Sequence, residues 1–264
     1  MRKKLLVIVM TALIFASACI LGFTTVYRVD KVTLYVQAVS DSEEAKSEEQ
    51  ALQESLLDAY KGENLLFSKK TTATEVLSKF PCFRLVKFDK KSPDRIVIEV
   101  TEDAEVYAVE TEDGYYLLSE DGTTLGKRGD YKNRLDGEDN LLMKGFSVTA
   151  NRGEIPQNDP AFLAALAFSK EVSALLSGIR KNVLSVERIL KTPEGADFPA
   201  VMLCFTMKEG VRLYVNQAEI DTEEKANSAI EKYLSLSVEE KTKGAITLLE
   251  TATAIYSPTD DFRK

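Results

Sequence analysis

Histidine and tryptophan are both absent from this chain of 264 residues. Because histidine is the most common general base and metal ligand, its absence excludes the usual serine and cysteine triads. An enzyme with this sequence would have to work with carboxylates, lysines or tyrosines. We therefore predict no catalytic, cofactor or metal site and favour a binding role.

Cysteine is scarce as well. The three cysteines are Cys19, Cys82 and Cys204, and none has the short paired spacing of a metal site. Cys82 and Cys204 each lie in an apolar, strand-like segment, which favours buried free thiols. A disulfide between these two residues is left open.

Basic residues are outnumbered, with 34 lysines and arginines against 42 acidic residues and a net charge of −8. Without Arg2, Lys3 and Lys4 the remaining chain has a net charge of about −11. Such an acidic body argues against a nucleic-acid partner and against a polybasic hold on anionic lipid.

Charge is missing altogether from Leu5 to Phe23, a run of 19 residues. This length is about what a helix needs to cross a bilayer, and we predict a transmembrane helix over 5–25. The basic residues of the tail, 1–4, place the N-terminus in the cytoplasm and the rest of the chain outside. Two alternatives remain open: signal cleavage after Ala16-Ser17-Ala18, and lipid modification of Cys19.

The segment 26–103 reads as strand, helix, helix, strand, strand. The first strand is predicted over 27–36, and the acidic stretch 41–50 is predicted to begin as a loop. A helix follows, and a second one starts at Thr72, where Thr72 and Glu75 form a capping box. A hairpin completes the segment, because Ile96, Ile98 and Val100 alternate with polar neighbours.

The segment 104–257 predicts a second, mostly antiparallel β domain with two helices. Asp159 and Pro160 are a typical helix start, and Asp221 and Glu224 are predicted to cap the other helix. The last strand is predicted to run unbroken from Gly244 to Tyr256, and 258–264 is a tail. The fold class is therefore α+β.

Acidic clusters are the one feature that suggests catalysis. Glu99 and Glu102 crowd the end of the hairpin, and paired carboxylates can perform general acid–base chemistry when burial separates their pKa values. A cell-wall hydrolase is therefore kept as a minor alternative. A solvated strand face explains the same residues more simply.

Four stretches, taken in order, carry a family resemblance. "YRVDKVTLYV" is followed by "GENLLFSKKTTATEVLSKFPCFRLVKFDKKSPDRIVIEVTEDAEVYAVE" and by the hairpin "YYLLSEDGTTL". With the late "RLYVNQAEIDTEEKANSAIEKYL", this order resembles the FtsQ/DivIB family of bacterial cell-division proteins. The sequence departs from the family at Glu102-Asp103-Ala104-Glu105, where Glu-Arg-x-Pro is usual.

The resemblance implies a POTRA-like domain over 26–103 and a non-enzymatic scaffold of the divisome. It implies partners of the FtsB/DivIC and FtsL type, a single-pass location in the cell membrane and recruitment to midcell. The partner would add a strand to the edge of the last strand, with Ile246, Leu248 and Tyr256 as side-chain anchors. No small-molecule substrate and no nucleic acid are expected. The alternative is a generic POTRA-bearing strand binder, held by a membrane helix or a lipid.

Overall fold

The computed structural model describes residues 2–37, 43–133, 136–191, 200–248 and 252–260. The chain divides into two compact units, 1–103 and 104–264. Predictions that concern Met1, part of the acidic stretch (41–42), residues 249–251 of the last strand and the end of the tail (261–264) lie outside the described residues.

The described residues of unit 1 form three helices and three strands. These are α1 (Arg2–Val26), β1 (Lys31–Gln37), α2 (Glu43–Tyr60), α3 (Lys70–Leu77), β2 (Phe83–Lys91) and β3 (Arg95–Glu102). Within α1, residues Val9–Val26 are apolar enough to span a membrane, with a mean hydropathy of 2.1. The order after α1 is thus strand, helix, helix, strand, strand.

The sheet of unit 1 has the order β1–β3–β2, with β1 parallel and β2 antiparallel to β3. Ile96, Ile98 and Val100 of the central strand are fully buried, so the predicted alternation is confirmed. Leu52 and Leu56 of α2 are buried as well. The strand period of two places the apolar side chains of β3 on one face of the sheet. The helix period of 3.6 gives α2 an apolar stripe that covers that face.

α2 begins at Glu43, inside the acidic stretch, because Glu, Ala, Lys and Gln are strong helix formers. The predicted loop at the beginning of the stretch falls on residues 41–42, outside the described residues. One local prediction for unit 1 is wrong. α3 begins at Lys70, so Thr72 and Glu75 lie inside the helix and form no capping box. Lys69 holds the N-cap position, and its side chain makes no capping hydrogen bond.

Unit 2 contains a nine-stranded sheet and four helices among its described residues. The strands are β4 (Tyr107–Thr111), β5 (Gly114–Leu118), β6 (Thr124–Arg128), β7 (Leu141–Lys144), β8 (Val183–Lys191), β9 (Ala200–Met207), β10 (Arg212–Asn216), β11 (Ala245–Leu248) and β12 (Ala254–Ser257). The helices are α4 (Pro160–Leu176), α5 (Ile179–Asn182), α6 (Thr222–Ser235) and α7 (Val238–Lys241).

The large sheet runs in the order β12–β11–β10–β9–β8–β7–β4–β5–β6. The parallel pairs are β4–β7, β7–β8 and β10–β11, and the other neighbours are antiparallel. A mixed α+β fold with mostly antiparallel pairs is therefore confirmed. α6 links β10 to β11, since a parallel pair needs a crossover connection.

The main core of unit 2 lies between this sheet and the helices α4 and α6. It is built from large side chains such as Phe162, Phe168 and Phe205, all fully buried. α4 starts as predicted, because the Asp159 carboxylate accepts hydrogen bonds from the backbone N–H groups of Ala161 and Phe162. Asp221 precedes α6 but has a left-handed backbone, and its side chain does not cap the helix.

The last predicted strand is two strands in the structure. β11 and β12 pair with each other in an antiparallel register, with Ile246 opposite Tyr256 and Thr247 opposite Ile255. β11 lies inside the sheet, because it also pairs with β10. The single strand Gly244–Tyr256 is therefore wrong, and the edge position belongs to β12.

Candidate protein-binding edge of the large sheet

Four strands lie at sheet edges, and two of them are protected. β2 carries Lys87, Lys90 and Lys91, and lysines on an edge oppose the addition of another strand. β6 is partly covered, since the backbone of Thr124 exchanges two hydrogen bonds of 2.8 Å with Gly153 and Glu154. β6 also ends in Lys127 and Arg128.

β12 is an edge without charge, formed by Ala254-Ile255-Tyr256-Ser257. Among the described residues, its only sheet neighbour is β11. Ile255 is 60% exposed, although it is a β-branched aliphatic residue on a strand of the main sheet. Half of the backbone N–H and C=O groups of an edge strand point away from the sheet, so β12 can accept another strand.

Three contacts hold β12 in place beside the helices. The Ala254 N–H donates to Ser228 Oγ of α6 at 3.2 Å. The Tyr256 hydroxyl donates to the backbone carbonyls of Glu240 at 3.4 Å and Lys243 at 3.5 Å. These contacts anchor β12, and the bond to Ser228 occupies the backbone N–H of Ala254.

A polar clasp follows β12 on the sheet face opposite α4 and α6. Asp260 forms an ion pair with Arg212, and its other carboxylate oxygen accepts a 2.8 Å hydrogen bond from the Tyr214 hydroxyl. Burial raises the pKa of Tyr214 above its usual value, so this hydroxyl remains a donor at neutral pH. The clasp ties the chain after β12 back to β10.

A small apolar cluster lies under this clasp and contains Cys204 and Tyr214 with their buried neighbours Met202 and Ala245. Burial raises the pKa of the Cys204 thiol to about 11, so the thiol stays protonated and unreactive at neutral pH. Cys82 and Cys204 are both buried, and no disulfide joins them. This agrees with the interpretation of the two cysteines as small apolar residues.

The sequence-predicted anchors are divided between two strands. Ile246 and Leu248 lie on β11 with fully buried side chains and belong to the main core. Tyr256 lies on β12 and is half-buried against the same core. Only Tyr256 therefore has a side chain at the edge, and Ile255 is the exposed residue that the sequence analysis missed. Neighbouring side chains of a strand point to opposite faces, so Ile255 would have been predicted to face away from Tyr256 if the break between β11 and β12 had been recognised. The partner-binding role of these residues stays a prediction.

The carboxylates of the hydrolase alternative face different sides of the small sheet. Glu99 lies on the open face, 3.8 Å from Lys87 Nζ. Glu102 is buried, in register with the inward-facing Ile96, Ile98 and Val100. Carboxylates on opposite faces of one sheet cannot flank a single scissile bond. Within the described parts of the chain, no group of three or more acidic or cysteine residues could hold a metal ion.

Comparison with known proteins leaves the family open. Neither the protein-family models nor the curated proteins gave a match to this chain. The order of the elements and the β12 edge are therefore the features that point to a function.

Proposed function

We propose that this chain is a non-enzymatic, single-pass membrane protein that binds other cell-division proteins outside the membrane, as a scaffold of the FtsQ/DivIB type. The observation that carries the proposal is the uncharged edge strand β12 at the end of a large mixed sheet. A partner segment would extend this sheet by one strand. Partners of the FtsB/DivIC and FtsL type follow from the resemblance.

The element order of unit 1 supports a POTRA-like domain within this proposal. A strand leads from the membrane helix, two helices follow, and a hairpin closes the sheet with β3 in the centre. This is the order that the quoted sequence stretches share with the family. The domain would stand directly on the outer surface of the membrane.

The apolar helix α1 supports the proposed topology. Basic residues precede it in the sequence, which favours a cytoplasmic N-terminus and an extracytoplasmic location for both units. Cys19 is exposed on this helix, and lipid modification there would equally leave the units tethered outside. Either form is compatible with a scaffold at midcell.

A strand partner would be recognised at β12 mainly through backbone hydrogen bonds, with Ile255 as the exposed apolar contact. A lysine at position 255 would place charge on this edge and oppose strand addition, as edge lysines do in natural sheets. Leu184 on β8 provides a matched control, because it is aliphatic and 54% exposed. It lies four strands from β12, a distance of about 19 Å at the usual strand spacing.

The test is localisation of a fluorescent fusion of the full chain in dividing cells of the source organism. We expect a midcell band that weakens in the Ile255→Lys variant and persists in the Leu184→Lys variant. An even membrane signal for the unsubstituted chain would overturn the division role. Equal bands in both variants would keep the division role and refute the β12 edge as its binding surface.

A generic strand-binding protein is the second candidate, and one observation favours it. β1 is also an edge strand, its residues after Lys31 are uncharged, and Tyr35 is exposed on it. Such a protein would bind extended segments without a preference for the division site. The even membrane signal described above is the result that selects it.

A further inference from the structure

Two apolar side chains project from a turn of unit 1 close to the end of α1. Leu66 is 46% exposed and Phe67 is 73% exposed, while their neighbour Leu65 is buried. We call Leu66 and Phe67 the apolar tip. Exposing a phenylalanine and a leucine side by side to water costs free energy, which an apolar surface placed over the tip would recover.

The apolar tip is held in a defined conformation by Asn64. The Asn64 Oδ1 atom accepts a 3.0 Å hydrogen bond from the Leu66 N–H, and the Asn64 backbone carbonyl accepts one of 3.0 Å from the Phe67 N–H. The Ser68 hydroxyl donates to the same carbonyl at 3.1 Å. The turn that carries the tip is therefore fixed by hydrogen bonds.

The same turn is joined to the last residues of the apolar helix. The Asn64 side-chain amide donates to the Phe23 carbonyl at 3.2 Å, and the Leu65 N–H donates to the Tyr27 carbonyl at 2.6 Å. Phe23 and Val26 are themselves exposed apolar residues of α1. The apolar surface of the helix end thus lies beside the apolar tip.

Lysines flank the tip in sequence and in space. Lys69 and Lys70 follow it after Ser68 and are exposed. The Lys90 ammonium, on β2, donates a 3.0 Å hydrogen bond to the Leu66 carbonyl. Aromatic and aliphatic side chains bordered by lysines suit the boundary between acyl chains and headgroups, where lysines reach the phosphates.

We propose that the apolar tip inserts into the outer interface of the same bilayer that α1 spans, and gives unit 1 a second contact with lipid. The inference rests on the proposed function only in requiring that α1 stay in the membrane. We take the lipid bilayer as the surface that covers the tip, because the hydrogen bonds to Phe23 and Tyr27 hold the tip at the end of α1, where the helix would leave the hydrocarbon. Insertion would set the orientation of unit 1 relative to the membrane plane.

The absence of tryptophan makes the test direct, because one introduced tryptophan is the only such fluorophore in the full chain. Three full-length variants are reconstituted separately into vesicles of phosphatidylcholine and phosphatidylglycerol: Phe67→Trp, Val86→Trp and Phe15→Trp. Val86 is the matched control, since it is apolar, 50% exposed and four residues along β2 from Lys90. Phe15 lies within the apolar span. Quenching is measured with phosphatidylcholine brominated on its acyl chains.

We expect the fluorophore at position 67 to emit at shorter wavelength than the one at position 86 and to be quenched by the brominated lipid. Quenching at position 15 and not at position 67 would overturn the proposal while leaving the membrane span intact. No quenching at position 15 would show that α1 is not in the bilayer, and would refute the anchored topology itself. Equal quenching at positions 67 and 86 would refute the claim that the apolar tip, rather than unit 1 in general, inserts into the bilayer.

Discussion

Replacing Gly244 with alanine tests how β12 is attached to the sheet. Gly244 precedes β11 and has a left-handed φ of +80°. A β-carbon at this position would collide with the Ser257 carbonyl oxygen and would lie 3.1 Å from the Pro258 Cα atom. The only way to relieve the collision is to move the end of β12 away from the start of β11.

The expected destabilisation of β12 has two parts, the cost of the left-handed backbone and the cost of the collision. A left-handed backbone is unfavourable for a residue with a β-carbon by about 1–2 kcal/mol. The collision adds to this cost, because both partners are backbone atoms that cannot rotate away, so about 2 kcal/mol is a working value. At 1.4 kcal/mol per factor of ten, β12 should detach about 30-fold more often.

Hydrogen exchange of the full chain in detergent, read by mass spectrometry, measures this detachment. Amides of 254–257 should exchange faster in Gly244→Ala, while those of β4 and β5 stay unchanged. Gly126→Ala is the matched control, because a β-carbon there meets nothing within 4 Å and its φ is not positive. Unchanged exchange in 254–257 would refute the argument that the turn at Gly244 fixes the edge strand.

Two further predictions concern buried polar groups. The buried Lys225 ammonium donates two hydrogen bonds of 2.9 Å to the Asn216 and Gln217 carbonyls. Lys225→Met should therefore lower the unfolding free energy of unit 2 by about 2–3 kcal/mol. An unchanged urea midpoint for the full chain in detergent would contradict this prediction. Burial raises the pKa of the Tyr60 hydroxyl from 10.0 to about 12. The protonated hydroxyl therefore contributes fully to the unfolding free energy below pH 10, and this contribution is lost as the pH rises from 10 towards 12. Circular dichroism of the full chain should follow that loss, and Tyr60→Phe should flatten the pH dependence of unit 1.

The sequence predicted those elements whose signals are local. The alternation of Ile96, Ile98 and Val100 specified β3, because each of these side chains packs on the same face. Asp159 and Pro160 specified the start of α4, because the cap and the first turn are adjacent in the chain. Neither prediction needed knowledge of distant contacts.

The end of the chain could not be predicted in this way. Residues 245–256 contain no glycine and no proline, so nothing local marks the division into β11 and β12. The division arises because β11 pairs in parallel with β10 across α6, and this pairing depends on tertiary structure. Ile246 and Leu248 were consequently predicted as edge residues, although the sheet buries both.

The hydrogen bonds that join the end of α1 and the segment 27–29 to the turn at 62–65 have a mechanical consequence. Besides those at Phe23 and Tyr27, the Gly62 N–H donates to the Val29 carbonyl at 3.1 Å and the Val29 N–H donates to the Glu63 carbonyl at 2.8 Å. Four hydrogen bonds over seven residues thus join the end of α1 and the segment that follows it to the turn at 62–65. A rotation or tilt of α1 would therefore be passed on to this turn and, through it, to the sheet of unit 1.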